Sequence, residues 1–157
     1  ISKLTEIQTG TKAPDFYLQV SNDSTISNRS FLKKHLYIQF LDLDIQENKK
    51  EIDVLVPLYE KYKDFISVIT VYKKVDSLSE EQQTLINQIP WGKYEIEASD
   101  KFLKDYAVAS FPSYILIDHY GYVVAAPALR PTPNGQYETI DKSFFYIKKF
   151  IEEERKN

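Results

Sequence analysis

The sequence predicts an α/β fold, a mixed central sheet with helices on both faces. Three observations carry that expectation. Residues 36–41 and 65–72 are nearly continuous apolar runs rich in β-branched and aromatic side chains. Runs of that length and content read as strands buried on both sides. Between them the apolar period becomes helical, so the unit is strand–helix–strand, which implies a right-handed crossover and parallel pairing. Near the end, residues 113–118 and 122–126 are joined by His119-Tyr120-Gly121, the signature of an antiparallel hairpin.

The elements follow in order. Residues 1–11 read as a polar lead-in. Residues 16–20 alternate and predict a strand. Ser21, Asn22, Asp23 and Ser24 are turn residues, because their side chains bond their own backbone. Residues 26–34 predict a short strand end and a helical turn. In residues 46–63, Ile52, Leu55, Val56, Tyr59 and Tyr62 share one helix face, with Lys49, Lys50, Asp53, Glu60 and Lys61 opposite. Pro57 lies inside this helix, removes a backbone donor and is expected to kink it. A helix over 79–88 follows the second strand, with Ser79 as N-cap. Pro90, Trp91 and Gly92 are expected to close that unit. Residues 99–106 predict a short helix with a Ser or Asp cap. Gly121 supplies the positive φ that the hairpin turn needs. Residues 130–135 form a loop containing Pro and Gly. Ile140, Phe144, Ile147 and Ile151 mark the inner face of a C-terminal helix over about 139–155. No repeat or linker interrupts residues 1–157, so one domain is expected.

Composition narrows the function. The 157 residues suffice for one hydrophobic core. Lys+Arg 20 against Asp+Glu 23 gives a net charge of -3 and no basic stripe, which argues against nucleic acid as a partner. No run of about 18 apolar residues predicts a transmembrane helix. Cys is 0. That excludes thiol-disulfide exchange, peroxidase chemistry and thiolate metal ligands. The chain opens on Ile1 rather than Met; the expectation is a processed or excised segment, with any signal or lipid anchor upstream.

Four motifs occur in a set order. Gly10-Thr11-Lys12-Ala13-Pro14-Asp15-Phe16 has the form G-x-x-A-P-D-F. Residues 39–51 roughly resemble the frame N-F-W-A-S-W-C-x-x-C-R-K-E, with Ile45 and Asn48 at the cysteine positions. Leu58-Tyr59-Glu60-Lys61-Tyr62-Lys63 matches a helix end. Residues 106–118 resemble Y-x-V-x-x-x-P-T-x-x-L-I-D, with Ser113 at the Thr position and Gly121 following. Across residues 10–126 the chain resembles the extracytoplasmic thioredoxin-like reductases of the TlpA and ResA type, within the redoxin (AhpC/TSA) superfamily. The resemblance implies a thioredoxin-like α/β/α sandwich with a mixed central sheet. It also implies a cis-Pro loop at Phe111-Pro112 and an extracytoplasmic or periplasmic location.

The chain departs from that frame at the reacting positions. Ile45 and Asn48 stand where the two thiols belong, Leu41 and Asp44 replace the aromatic residues before the first, and Pro57 comes one turn after the expected proline position, which Asp53 occupies. The expectation is therefore a pseudo-oxidoreductase with no catalytic residue. It would be a redox-inactive protein- or peptide-binding or scaffolding module. In active relatives the substrate chain pairs with the active-site loop and the residue before the cis-proline. Here Asp44, Ile45, Gln46, Ser110, Phe111 and Pro112 would line that groove. The rival expectation is a purely structural domain of a larger exported protein. An enzyme with a non-thiol metal site ranks last.

Other residues fit simpler roles. Asp42, Asp44 and Glu47 offer hard oxygen ligands for Ca²⁺ or Mg²⁺, but without an EF-hand's glycine and terminal Glu. Acidic residues favoured at a helix N-terminus explain them more simply. His35 and His119 lack a nucleophile motif and are expected to be surface or structural. Trp91 beside Pro90 reads as packing. With Gly 4, no Gly-rich phosphate loop exists and no cofactor is expected.

Overall fold

The computed structural model describes residues 7–133 and 138–156. The first six residues of the lead-in and Gly135 of the Pro- and Gly-containing loop lie outside the described residues. In chain order the elements are β1 (Tyr17–Ser21), β2 (Ser24–Ser27), a 3-10 turn (Asn28–Phe31), β3 (His35–Leu41), α1 (Glu47–Tyr62), β4 (Ile66–Lys73) and α2 (Glu80–Asn87). They continue with β5 (Gly92–Ile96), α3 (Lys101–Asp105), β6 (Ser113–Ile117), β7 (Val123–Ala125) and α4 (Ile140–Arg155).

The central sheet has the order β5-β4-β3-β6-β7. β3 lies in the middle, parallel to β4 and antiparallel to β6. Its side chains alternate between two cores, as the two-residue strand period requires. Leu36, Ile38 and Phe40 join Ile69, Val71, Ile115 and Ile117 on one face. Tyr37 and Leu41 join Ile66, Val68, Tyr114 and Leu116 on the other. The first face is covered by α3 and the segment entering β1. There Phe16 stacks on Phe102 at 4.2 Å and Tyr106 donates to the Pro14 carbonyl at 2.6 Å. The second face is covered by α1 and α4 through Ile52, Leu55, Tyr62, Ile140 and Phe144. Tyr62 donates to Asp141 at 2.8 Å, tying the two helices together. Ile147 packs against this core only in part.

Local signals act where expected. Ser79 and Gln82 form a capping box on α2, and Asp100, rather than Ser99, caps α3 through the Phe102 amide. Gly121 has φ +91° in the β6–β7 turn. α1 runs through Pro57 as one helix. No helix among the described residues is long and apolar enough to cross a membrane.

One feature differs from the sequence expectation, and a second goes beyond it. Gly92 does not close a unit; it opens β5, which pairs with β4 from Ile69↔Gly92 to Lys73↔Ile96. This edge strand carries Lys93 and Glu95 and has no apolar run to announce it. Residues 17–21 form a separate hairpin with β2 and stay out of the central sheet. The turn residues that follow β1 reverse the chain, so that β1 pairs antiparallel with β2.

Candidate functional site

The candidate site lies where β3 ends and α1 begins. The Ile45 amide donates to the Asp42 carbonyl at 3.0 Å, and the Asn48 amide donates to the Ile45 carbonyl at 3.3 Å. These bonds wind the loop into successive tight turns that feed α1. Ile45 is half-buried and Asn48 is fully buried. The Asn48 side-chain amide donates to the Asp42 carbonyl and closes the loop on itself. Its Oδ1 is buried without a partner among the described residues.

The three acidic residues diverge instead of converging. Asp42 pairs with Lys73 at 3.2 Å and accepts the Asp44 amide at 3.0 Å. Asp44 accepts from Gln82 Nε2 at 2.9 Å. Glu47 sits in the first turn of α1, where the helix dipole favours an acid. Among the described residues no group of three His, Cys, Asp or Glu side chains stands together as a metal set.

The six residues expected to line one groove fall into two groups. Asp44, Ile45 and Gln46 line a cavity of about 940 Å³ whose other side is α2, with Ser79, Gln82 and Leu85. Gln82 fixes that wall, because its Nε2 also donates to the Leu43 carbonyl at 3.3 Å. Ser110, Phe111 and Pro112 do not line this cavity. Ser110 is exposed, and Phe111 packs in part against the first core. The Phe111–Pro112 bond is cis, as is Ala126–Pro127. Lys73 links the two groups: its Nζ pairs with Asp42 and lies 5.0 Å from the centre of the Phe111 ring.

Behind the loop is a polar chain that the sequence reading missed. Trp91 Nε1 donates to Thr70 Oγ1 at 2.7 Å, and Thr70 donates to Gln39 Oε1 at 2.7 Å. Gln39 Nε2 donates to the Tyr114 hydroxyl at 3.0 Å, and Tyr114 donates to Glu51 at 2.6 Å. Thr132 also donates to Glu51, and Arg130 Nε lies 3.5 Å from it. Glu51 is 1% exposed. A buried carboxylate is tolerable only with such partners. Burial and the nearby Glu51 carboxylate push the Tyr114 phenol well above its ordinary value. Burial, then Tyr114, does the same to Tyr37, whose ring stacks on Tyr114 at 5.2 Å. Strand register assembles the chain, since Gln39 lies opposite both Thr70 and Tyr114. One signal was available. Asn48, Glu51, Ile52 and Leu55 share the inner face of α1, so an acid there has to be paired.

No protein-family model and no curated protein matches the sequence. Solved structures do. The thioredoxin domain of a thiol-disulfide oxidoreductase from Bacteroides vulgatus superposes with a TM-score of 0.68 at 22% identity, covering 92% of this chain and 98% of that one. A thiol:disulfide interchange protein from Bacteroides sp. gives a TM-score of 0.70 at 21% identity, covering 97% and 93%. A thiol-disulfide oxidoreductase from Bacteroides fragilis gives 0.60 at 19% identity, covering 79% and 92%. The chain has a thioredoxin-like fold. At these identities the likeness is one of fold.

Within this thioredoxin-like fold, the remaining candidates fall outside the loop. Trp91 is buried and packs beside Tyr59 at 5.2 Å, so it is core. His35 and His119, far apart in sequence, meet with ring centroids 5.5 Å apart. Burial pushes the His35 imidazole below its usual range, His119 adds to that effect, and Asp118 opposes it.

Proposed function

We infer that this chain is a redox-inactive, extracytoplasmic thioredoxin-fold module that binds an extended segment of a protein or peptide without chemical turnover. The observation that carries this reading is the pair Ile45 and Asn48. They occupy the two ends of the turn where the sequence frame places thiols, in a chain with Cys 0. Disulfide exchange needs a thiolate attacking sulfur, and neither side chain can form one. The Asn48 amide is instead used to close the loop.

Two features support binding. The loop wall is held in place by the Asn48 and Gln82 bonds, and the Phe111 wall is held against the core. A preorganised groove loses less entropy on accepting an extended chain. The test is affinity capture from extracts of the source organism, comparing wild type with the double variant Ile45→Asp, Phe111→Asp after circular dichroism confirms folding. A partner retained by wild type and lost by the variant supports the reading. Equal capture by both, or capture by neither, moves the function to the rival of a purely structural domain. Disulfide turnover by wild type in an insulin-reduction assay overturns redox inactivity.

A further inference from the structure

The two histidines make a second site of different chemistry. The sequence contains His 2, and the fold brings both to one place from separate elements. His35 opens β3, and His119 sits in the turn between β6 and β7. Asp118 Oδ1 fixes that turn by accepting the Tyr120 and Tyr122 amides, each at 2.9 Å. The imidazole rings lie 5.5 Å apart with a 37° tilt. His35 Nδ1 is buried and has no hydrogen-bond partner among the described residues.

This spacing has a chemical meaning. With metal–nitrogen bonds of about 2.0–2.1 Å, two imidazoles on one ion at tetrahedral to trigonal angles hold their ring centres about 5 to 5.5 Å apart. Both rings line a cavity of about 340 Å³, which the carboxylate residues Asp64 and Glu154 also line. Of the three cationic residues around it, Lys33, Lys34 and Arg155, Lys34 is turned to the Lys63 carbonyl at 2.9 Å and Arg155 lies over the Phe65 ring at 5.3 Å.

We propose that His35 and His119 chelate Zn²⁺, whose tetrahedral ligand angles match this ring spacing. Imidazole also suits Cu²⁺, which binds nitrogen ligands more tightly but prefers square-planar angles that bring the rings closer together. No third His, Cys, Asp or Glu among the described residues completes a set, so water fills the remaining positions. Such a site binds more weakly than a closed structural centre. It lies apart from the α1 loop and clamps the start of the central strand to the β6–β7 turn. Ca²⁺ and Mg²⁺, which require oxygen ligands, are not held there.

The test uses the full chain and its two histidine signals in proton NMR. Cu²⁺, Zn²⁺ and Mg²⁺ are titrated separately, with thermal unfolding measured in Zn²⁺. Wild type is compared with His35→Asn and His119→Asn. Both signals should respond together to Cu²⁺ and to Zn²⁺, and Zn²⁺ should raise Tm. Both effects should vanish in either variant, and Mg²⁺ should do nothing. If His35→Asn does not fold, His119→Asn alone carries the comparison, because its change lies in a turn. A response confined to the His119 signal, a full response retained in a folded variant, or no response to Zn²⁺ overturns the proposal.

Discussion

The loop before α1 and the inner face of α1 lie one helical turn apart and behave differently. In the loop, Ile45 is half-buried and Asn48 makes a single side-chain bond, back to Asp42. One turn on, Glu51 gathers Tyr114, Thr132 and Arg130, and through Tyr114 it reaches Gln39, Thr70 and Trp91. The loop bond is local. The buried chain links α1 to three strands of the sheet and to the segment after β7. That segment is held further by Ala128 donating to the Tyr114 carbonyl at 2.7 Å and by Tyr37 donating to the Leu129 carbonyl at 2.7 Å. The difference teaches that positions 45 and 48 are not the ones that hold the fold together. Residues can change at positions 45 and 48 while the fold persists, because its bonding runs through position 51.

The largest expected effect tests that directly. Glu51→Leu leaves the Tyr114 and Thr132 hydroxyls facing an apolar group. Arg130, partly exposed, can turn to water. Urea unfolding should show a loss of about 3 kcal/mol. A loss under about 1 kcal/mol would remove the chain from the account of stability. Thr70→Val breaks the middle of the chain, stranding Trp91 Nε1 and Gln39 Oε1, and should cost about 2 kcal/mol in the same assay. Asn48→Ala should cost about 1 kcal/mol or less, since it removes an unpaired buried oxygen along with one hydrogen bond. If Asn48→Ala matches Glu51→Leu, the contrast between the two regions fails.

The smallest effect appears only in alkali. The folded pKa of Tyr114 is raised above its unfolded value by burial first and by Glu51 next. Its contribution is therefore complete below about pH 10 and is lost as pH rises through the folded value. Stability measured from pH 9 upward should fall, and Tyr114→Phe should flatten that fall. An equally steep decline in the variant would assign the effect to other groups, Tyr62 among them. Tyr62 is pushed up to about 12 by burial and by its bond to Asp141.

The sequence made the central sheet legible because β3, β4 and β6 are apolar runs and α1 changes the period. It did not reveal β5, whose polar residues make it a strand only by pairing with β4. The loop was legible as the entry to α1, because the apolar run ends there and the helical period begins. The buried chain was not, because Gln39, Thr70 and Tyr114 each sit singly in an apolar strand and meet only once the register is set. His35 and His119 were hidden for the same reason: neither has a motif, and only the sheet brings them together.

The most direct measurement restores what the frame lacks. The double variant Ile45→Cys, Asn48→Cys is oxidised, tested for an intramolecular disulfide and assayed for insulin reduction beside wild type. The Asn48 amide bonds to the Ile45 carbonyl, so the two positions form a tight turn within the reach of a disulfide. The account predicts a variant with the wild-type circular dichroism spectrum, paired thiols and a gain of insulin reduction, against none for wild type. A folded variant whose thiols stay unpaired, or a wild type that already reduces insulin, would contradict the reading of positions 45 and 48 as a redox turn without its thiols.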